Sequence, residues 1–470
     1  MAGPVTDPRG PVAGADVPKR RGTEALLLAF AVLITVVAQC IVDLTITGSL
    51  RPEMAGFCVW ITALWVVAHL AIRRWAAYAD PLLLPSVALL VGLGLTVIHR
   101  LDLASEQVDA TATREDAPVQ LIWATLGVAL FVAFLVVVRD HRALSRYAYT
   151  LALVGMALLA IPALLPSSLS SVNGAKIWIR LAGFSIQPGE FAKICLVIFF
   201  AAYLVDKRDV LALASRRVAG MEFPRGRDLG PVLLAWVLSI LVLVFERDLG
   251  SSLLLFGIFV VMLYIATERS SWLLIGVVLF AGGAYIAYNV FAHVQARVDT
   301  WLDPFAYKNG AGYQLTQSLF GLGTGGLFGA GLGGGRPDQV PVAKSDFIAS
   351  AVGEELGLFG LVAVIVVYLI LVERGLRTSL VARDAFGKLL AGGLAFAVAW
   401  QVFVVLGGVT GLLPLTGLTT PFLAYGGSSL VANFVLVAIL VRISDAARRP
   451  ATPHATPQRL GDAPTEVVTQ

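Results

Sequence analysis

Residues 348–372 read IASAVGEELGLFGLVAVIVVYLILV, and this stretch decides the fold. A hydrocarbon core about 30 Å thick needs roughly 20 predominantly apolar residues in an α-helix, so the stretch reads as a membrane-spanning helix. Its only charges, Glu354 and Glu355, are costly against acyl chains and are expected to face protein or a water-filled cavity. The rest of the chain repeats the pattern. Further apolar stretches lie near 24–44, 55–73, 81–98, 119–138, 147–165, 188–205, 229–245, 248–267, 271–290, 387–409 and 428–443. Only Glu246, Arg247 and Asp248 divide the seventh from the eighth, so these two can form one broken element and the count lies between ten and twelve. The fold class is all-α: a polytopic membrane protein of about twelve transmembrane helices. The composition agrees. Of 470 residues, 57% are hydrophobic and 14% charged, with a mean hydropathy of +0.81. Soluble domains average roughly 25% charged residues, so disorder, collagen-like repeats and a water-soluble enzyme are excluded. Cys40, Cys58 and Cys195 sit in apolar stretches and form neither a disulfide framework nor a metal-ligand spacing.

The first apolar stretch lacks the cleavage pattern of a signal peptide. Basic residues set the orientation. Lys19-Arg20-Arg21, Arg73-Arg74, Arg139 with Arg142 and Arg146, Arg269 and Arg442 with Arg448-Arg449 all fall on one side when twelve spans are drawn. Both termini are then cytoplasmic, in the inner membrane. The net charge of +4 is spread over these short loops and offers no nucleic-acid surface. Residues 1–22 and 446–470 read as disordered cytoplasmic tails. Two helices occupy 23–80, and 81–445 holds the rest, including a large extracytoplasmic loop at 291–347.

That loop is long and rich in aromatics, which favours a working segment, with a bland linker as the second reading. Residues 321–335 include nine glycines. Gly321-Leu-Gly323-Thr-Gly325-Gly326 matches G-x-G-x-x-G, but no strand precedes it, so a dinucleotide site is rejected. A flexible, re-entrant or lid-like loop is expected instead. It ends in Lys344-Ser345-Asp346, where Ser345 or Asp346 suits a helix N-cap and Asp346 equally suits a carboxylate facing a cavity at the membrane boundary. Asp346 and Glu354, eight apart, are expected on one helical face. Glu190 and Lys193, spaced i,i+3, suit either a structural ion pair or a pair that shapes a cavity. Lys176, Trp178 and Arg180 lie just outside a span, where the tryptophan suits an interfacial anchor. With Arg297, Arg336 and Lys344 the cations form an outward lining suited to a phosphate-bearing lipid. Ser428 and Ser429, after two glycines, suit helix capping or an anion site on backbone N–H groups. Asp248 is a cap or a cavity residue.

Several separated blocks in fixed order resemble the SEDS membrane glycosyltransferases, the RodA and FtsW family. They are Asn173-Gly174-Ala175 with Trp178, Phe184 to Lys193, Asp248-Leu-Gly250, Gly312-Tyr313-Gln314, the glycine stretch, Asp346-Phe347-Ile348 with Gly353-Glu354-Glu355, and Pro421-Phe422 with Tyr425 to Ser429. The resemblance runs from about 81 to 443 and implies a ten-span SEDS-like core. The two extra N-terminal spans resemble the actinobacterial RodA branch. The chain departs from the family pattern at Ile177 before the tryptophan, Glu246-Arg247 before Asp248, and Lys344-Ser345 before Asp346.

The resemblance implies polymerisation of lipid II into β-1,4 glycan strands on the outer face of the membrane, for elongation and shape, beside a class B penicillin-binding protein. It maps an essential aspartate onto Asp346 and a functional Glu–Lys pair onto Glu190 and Lys193. It suggests a divalent ion such as Mg²⁺, with metal ligands undefined, and no organic cofactor. The donor carries a diphosphate leaving group, so the reaction needs a base and positive charge rather than a pair of carboxylic acids. Asp346 is the expected base, with inversion at the donor MurNAc C1. Lys176, Arg180, Arg297, Arg336 or Lys344 would receive the diphosphate. A lipid II flippase, an FtsW-type division polymerase and a non-catalytic scaffold are the alternatives.

Overall fold

A computed structural model of the chain describes residues 19–108, 115–172, 175–181, 184–213, 215–218, 221–224, 230–246 and 248–450. Asn173, Gly174, Arg247 and most of both expected tails, at 1–18 and 451–470, lie outside the described residues. The N-terminal helices are α1 (Arg21–Thr47), α2 (Met54–Trp75), α3 (Leu83–Val108), α4 (Asp116–Val137), the short α5 (Ala143–Arg146), α6 (Ala148–Leu164) and α7 (Ser167–Ser170). Then come α8 (Pro188–Leu213), α9 (Gly230–Glu246), α10 (Leu249–Thr267), α11 (Ser271–Val290), α12 (Ala292–Leu302), α13 (Tyr313–Gly325), α14 (Ile348–Val381), α15 (Ala385–Val409) and α16 (Gly427–Arg448).

Among the described residues, ten helices are long and apolar enough to cross a membrane. The two other expected spans form as the 17-residue helices α6 and α9. The seventh and eighth stretches are separate helices, because Asp248 is extended and caps α10. In α3 and α16, 83% of the apolar window is buried, whereas in α11 it is 11%. These two helices therefore lie at the centre and α11 faces lipid. The extra helices α1 and α2 pack on α3 and α4. Arg21 is already helical, two residues before the expected boundary, because it is drawn into a buried pair with Glu24, which also meets His69 at 2.8 Å.

Three expectations need correction. First, α3 runs ten residues past its expected end, since Arg100 on the added turns is buried against Glu355 Oε1 (2.7 Å) and the Gly335 carbonyl (2.7 Å). Second, two antiparallel ribbons occupy the polar stretch after α7: β1 (Ser171–Val172) with β2 (Ala175–Lys176), and β3 (Ile179–Leu181) with β4 (Phe184–Ile186). A third ribbon, β5 (Ser215–Val218) with β6 (Met221–Pro224), follows α8. Third, the stretch 291–347 is not irregular throughout. It contains α12, α13 and a 3-10 turn at Pro337–Gln339.

The glycines of that stretch have a structural task. α14 is broken at Gly357, whose φ of 68° belongs to the left-handed region. The break frees backbone groups that lipid cannot satisfy. The glycine stretch supplies their partners. Leu358 and Phe359 N–H donate to the Gly326 and Leu327 carbonyls, and the Glu354 and Glu355 carbonyls accept from Ala330 and Gly331. Such backbone-to-backbone approach leaves no room for Cβ. One on Gly325 would lie 2.1 Å from the Gly353 carbonyl oxygen, and one on Gly357 2.3 Å from the Gly329 nitrogen.

Gly357→Ala is accordingly expected to destabilise the chain by about 2 kcal/mol or more, from left-handed strain plus overpacking. Gly323, with open space around it, should tolerate alanine without loss. Thermal unfolding of the two purified variants in one detergent checks the contrast, and equal Tm values would refute it.

Candidate active site

A cavity of about 740 Å³ opens at the N-terminal ends of α4, α14 and α16. Its floor is Asp346, Asp248 and Arg297. One wall is the ribbon segment with Ile177 and Trp178, another is the 416–427 turn region, and the third is the α4 face Val119, Ile122, Trp123 and Leu126. These α4 residues recur at i, i+3, i+4 and i+7, one helical stripe. Ile122 and Leu126 are 57% and 44% exposed, so the apolar wall continues onto the lipid-facing surface.

Asp346 is positioned from both sides. Phe347 after it is fully buried. Before it, Lys344 Nζ bonds Asp102 Oδ1 at 2.5 Å and Asp116 Oδ2 at 2.9 Å, on the facing ends of α3 and α4. The Lys344 carbonyl accepts from Tyr425 N–H at 2.8 Å. The N-cap of α14 is Phe347, without a side-chain capping bond. The Asp346 carboxyl is therefore not spent on the helix end, as the capping alternative required. Burial pushes it above the ordinary carboxylate range and Asp248 adds to the push, while the Ser345 hydroxyl and Arg297 oppose it.

Arg297 projects from α12, with Nη1 held by the Leu415 (3.0 Å) and Thr416 (3.1 Å) carbonyls. Trp301 Nε1, one turn on, ties the same helix to the Gly411 carbonyl at 2.8 Å. Asp248 does both things expected of it. Oδ1 accepts from Gly250 N (2.9 Å) and Ser251 N (3.2 Å), and the residue lines the cavity.

Trp178, Asp248, Arg297 and Asp346 are thus brought together, and the other expected residues are not. Lys344 is consumed by its two carboxylates and does not line the cavity. Those carboxylates outweigh the effect of burial and raise its pKa. Glu190 and Lys193 are buried behind the wall, not in it. Lys193 Nζ bonds Glu190 Oε2 (2.9 Å) and Gln401 Oε1 (2.8 Å), and Gln401 Nε2 donates to the carbonyl of Thr419, which does line the cavity. Lys176 and Arg180 lie on the ribbons without lining the cavity, and Arg180 is exposed. Arg336 points outward, 71% exposed, while its backbone N–H donates to Glu354 Oε1 at 2.6 Å. Glu354 therefore serves the glycine stretch and does not pair with Asp346, which precedes the helix, so helical spacing does not apply. Ser428 Oγ accepts from Gln187 N (3.1 Å) and Ser429 Oγ from Thr419 Oγ1 (3.0 Å), which is close packing rather than an open anion site. Gly426 and Gly427, just before them, form the wall instead.

Sequence reasoning missed the α4 stripe and the acids Asp102 and Asp116. The stripe had a helical-period signal, but any lipid-facing span shows the same one.

The FtsW/RodA/SpoVE family model, described as cell cycle protein, matches residues 80–449. The chain is 55% identical over 434 residues to the peptidoglycan glycosyltransferase RodA of Mycobacterium bovis (strain ATCC BAA-935 / AF2122/97), covering 92% of each. It is 38% identical over 328 residues to a probable peptidoglycan glycosyltransferase FtsW of Geobacter metallireducens (strain ATCC 53774 / DSM 7210 / GS-15), covering 69% of this chain and 84% of that one. Its fold is similar to that of a chain in a solved peptidoglycan synthase complex that coordinates polymerization and crosslinking. There the TM-score is 0.62 at 24% identity, over 79% of this chain and 99% of the other.

Lys344→Met should leave Asp102 and Asp116 facing each other and lower Tm by several degrees, the outcome for a partly buried charge stripped of its partner. Adding Asp102→Asn should recover part of the loss. Additive Tm changes in this cycle would remove Lys344 from the role of clamp.

Proposed function

The chain belongs to the FtsW/RodA/SpoVE family, and from that premise we propose that it is a peptidoglycan glycosyltransferase that polymerises lipid II at the outer face of the cytoplasmic membrane. The observation that carries this reading is the Asp346 carboxyl, free of any capping bond, in a cavity that joins a polar floor to an apolar wall open to lipid. Asp346 removes the proton from the acceptor GlcNAc 4-hydroxyl. That oxygen attacks C1 of the donor MurNAc, the bond from C1 to the diphosphate breaks, and the diphosphate leaves with the electron pair. Attack opposite the leaving group turns an α-linked donor into a β-1,4 product. Arg297, anchored through Nη1, presents fixed positive charge to the same space, where a preorganised charge stabilises a departing anion. The polyprenyl tail lies along Ile122 and Leu126. Trp60 of the extra helix α2 borders this path, its Nε1 bonded to Thr125 Oγ1 at 2.9 Å.

No group of three or more potential acidic, histidine or cysteine metal ligands occurs among the described residues. Mg²⁺ commonly binds through one or two carboxylates plus substrate phosphates. Asp346 and Asp248 are the residues here that would hold it, and it would supply charge to the leaving diphosphate. The spread of arginines supports cytoplasmic termini. The greater identity to RodA than to FtsW favours a role in elongation, with a class B penicillin-binding protein as transpeptidase partner.

Purified protein given lipid II should form glycan polymer, and Asp346→Asn should form none. Because its pKa is raised in the folded chain, ionised Asp346 weakens the fold. The stability it contributes is complete below the unfolded value of about 3.9 and is lost as pH rises through the folded value. Asp346→Asn should therefore have an equal or higher Tm at neutral pH, which separates lost chemistry from lost folding. Polymerisation should fall with decreasing pH through a limb above the ordinary carboxylate range. Polymer from the variant would refute the base assignment. Lipid II translocation in liposomes without any polymer from the native chain would establish the flippase instead.

A further inference from the structure

A second cavity, of about 550 Å³, opens at the opposite end of α4, α14 and α16. Its lining carries five arginines against three aspartates. The aspartates are already engaged. Asp384 accepts from His141 Nε2 (2.9 Å) and Gly387 N (2.7 Å), Asp445 from Tyr78 N (2.8 Å) and Arg449 Nη2 (2.7 Å), and Asp140 from Arg142 N (2.9 Å). Arg442, buried at the base, is held by the Trp75 and Leu135 carbonyls. Arg139 at the mouth has no partner among the described residues, and the Arg142 side chain is 59% exposed, with Asp384 at 3.5 Å. The pocket thus keeps uncompensated positive charge with free N–H donors.

The last residues of α4 and α14, just before the segments that line the pocket, are apolar and exposed. Val137 precedes Arg139 and is 77% exposed, and Leu380, just before Arg383, is 79% exposed. Basic side chains stacked above exposed aliphatic ones along the helix axes match a phosphate headgroup above its acyl chains. A free phosphate ion has no use for the apolar part. An acidic peptide would lie across the mouth and leave it uncovered.

We propose that this pocket binds the phosphate of an anionic membrane lipid, with Arg139 and Arg142 as headgroup ligands and the acyl chains lying over Val137 and Leu380. The site is separate from the polymerisation cavity and stands whether or not that cavity polymerises lipid II.

Native mass spectrometry of the full chain, released from detergent micelles doped with phosphatidylglycerol or phosphatidylcholine, tests it. The expected result is retention of phosphatidylglycerol but not phosphatidylcholine. Arg139→Gln with Arg142→Gln should lower that retention about thirtyfold, since each charge near a headgroup contributes on the order of 1 kcal/mol and about 1.4 kcal/mol is a factor of ten. Arg139→Gln alone breaks no protein contact, should show part of the loss, and guards against a misfolded double variant. Arg73→Gln with Arg74→Gln, at the same end but outside the pocket, should change little. Equal retention by native and Arg139/Arg142 variants, an equal loss from the Arg73/Arg74 variant, or displacement of the lipid by millimolar inorganic phosphate or by polyglutamate would each overturn the proposal.

Discussion

A helix broken inside a membrane must find partners for its freed backbone groups, and the architecture around α14 follows from that requirement. Gly357 breaks the helix. The glycine stretch answers with four backbone hydrogen bonds, two in each direction. Arg100 then clasps the Gly335 carbonyl and Glu355, and Glu354 holds the Arg336 N–H. The first turns of α14 are thereby fixed relative to α3 and α13. Asp346 stands immediately before those turns, so its position depends on the backbone junction at Gly357.

The charges of the protein divide into those that fasten and those left available. Lys344, Glu190, Lys193, Glu354, Glu355 and Arg100 are bonded to other parts of the chain. In low dielectric such groups persist only when paired. Asp346 and the outward part of Arg297 are the exceptions around the cavity. Burial raises the Asp346 carboxyl, which weakens the folded state at neutral pH but suits a proton acceptor. Lys344 shows how one residue type can be misassigned. A lysine beside a boundary carboxylate invites a phosphate-binding role, yet two acids reach it first.

Much of this was legible in advance. The apolar stretches located the start of each span to within about three residues, because a 20-residue apolar run has one inexpensive solution in lipid, whereas α3, α8, α14 and α16 run five to ten residues past their expected ends. Asp346 was legible as a boundary carboxylate. Less legible was the use of the glycines. Their density suggested mobility, whereas Gly325, Gly329 and Gly357 are there so that backbones can touch. The added turns of α3 were hidden because Arg100 and Asp102 are polar by composition and buried only by their partners.

What the amino-acid order determined alone was the local chemistry: which stretches prefer lipid, which end of the bundle carries the arginines, and which carboxylates stand at a span boundary. Hydropathy and charge act over one or two helical turns, so neighbouring residues suffice to reveal them. The tertiary structure decided which charges cancel and which surface remains. Lys344 meets Asp102 and Asp116 across 242 and 228 residues of chain, and the α4 stripe becomes a cavity wall only when a ribbon and a turn close over part of it. Contacts at such separation leave no local periodicity or composition to read; they exist only once the helices have packed.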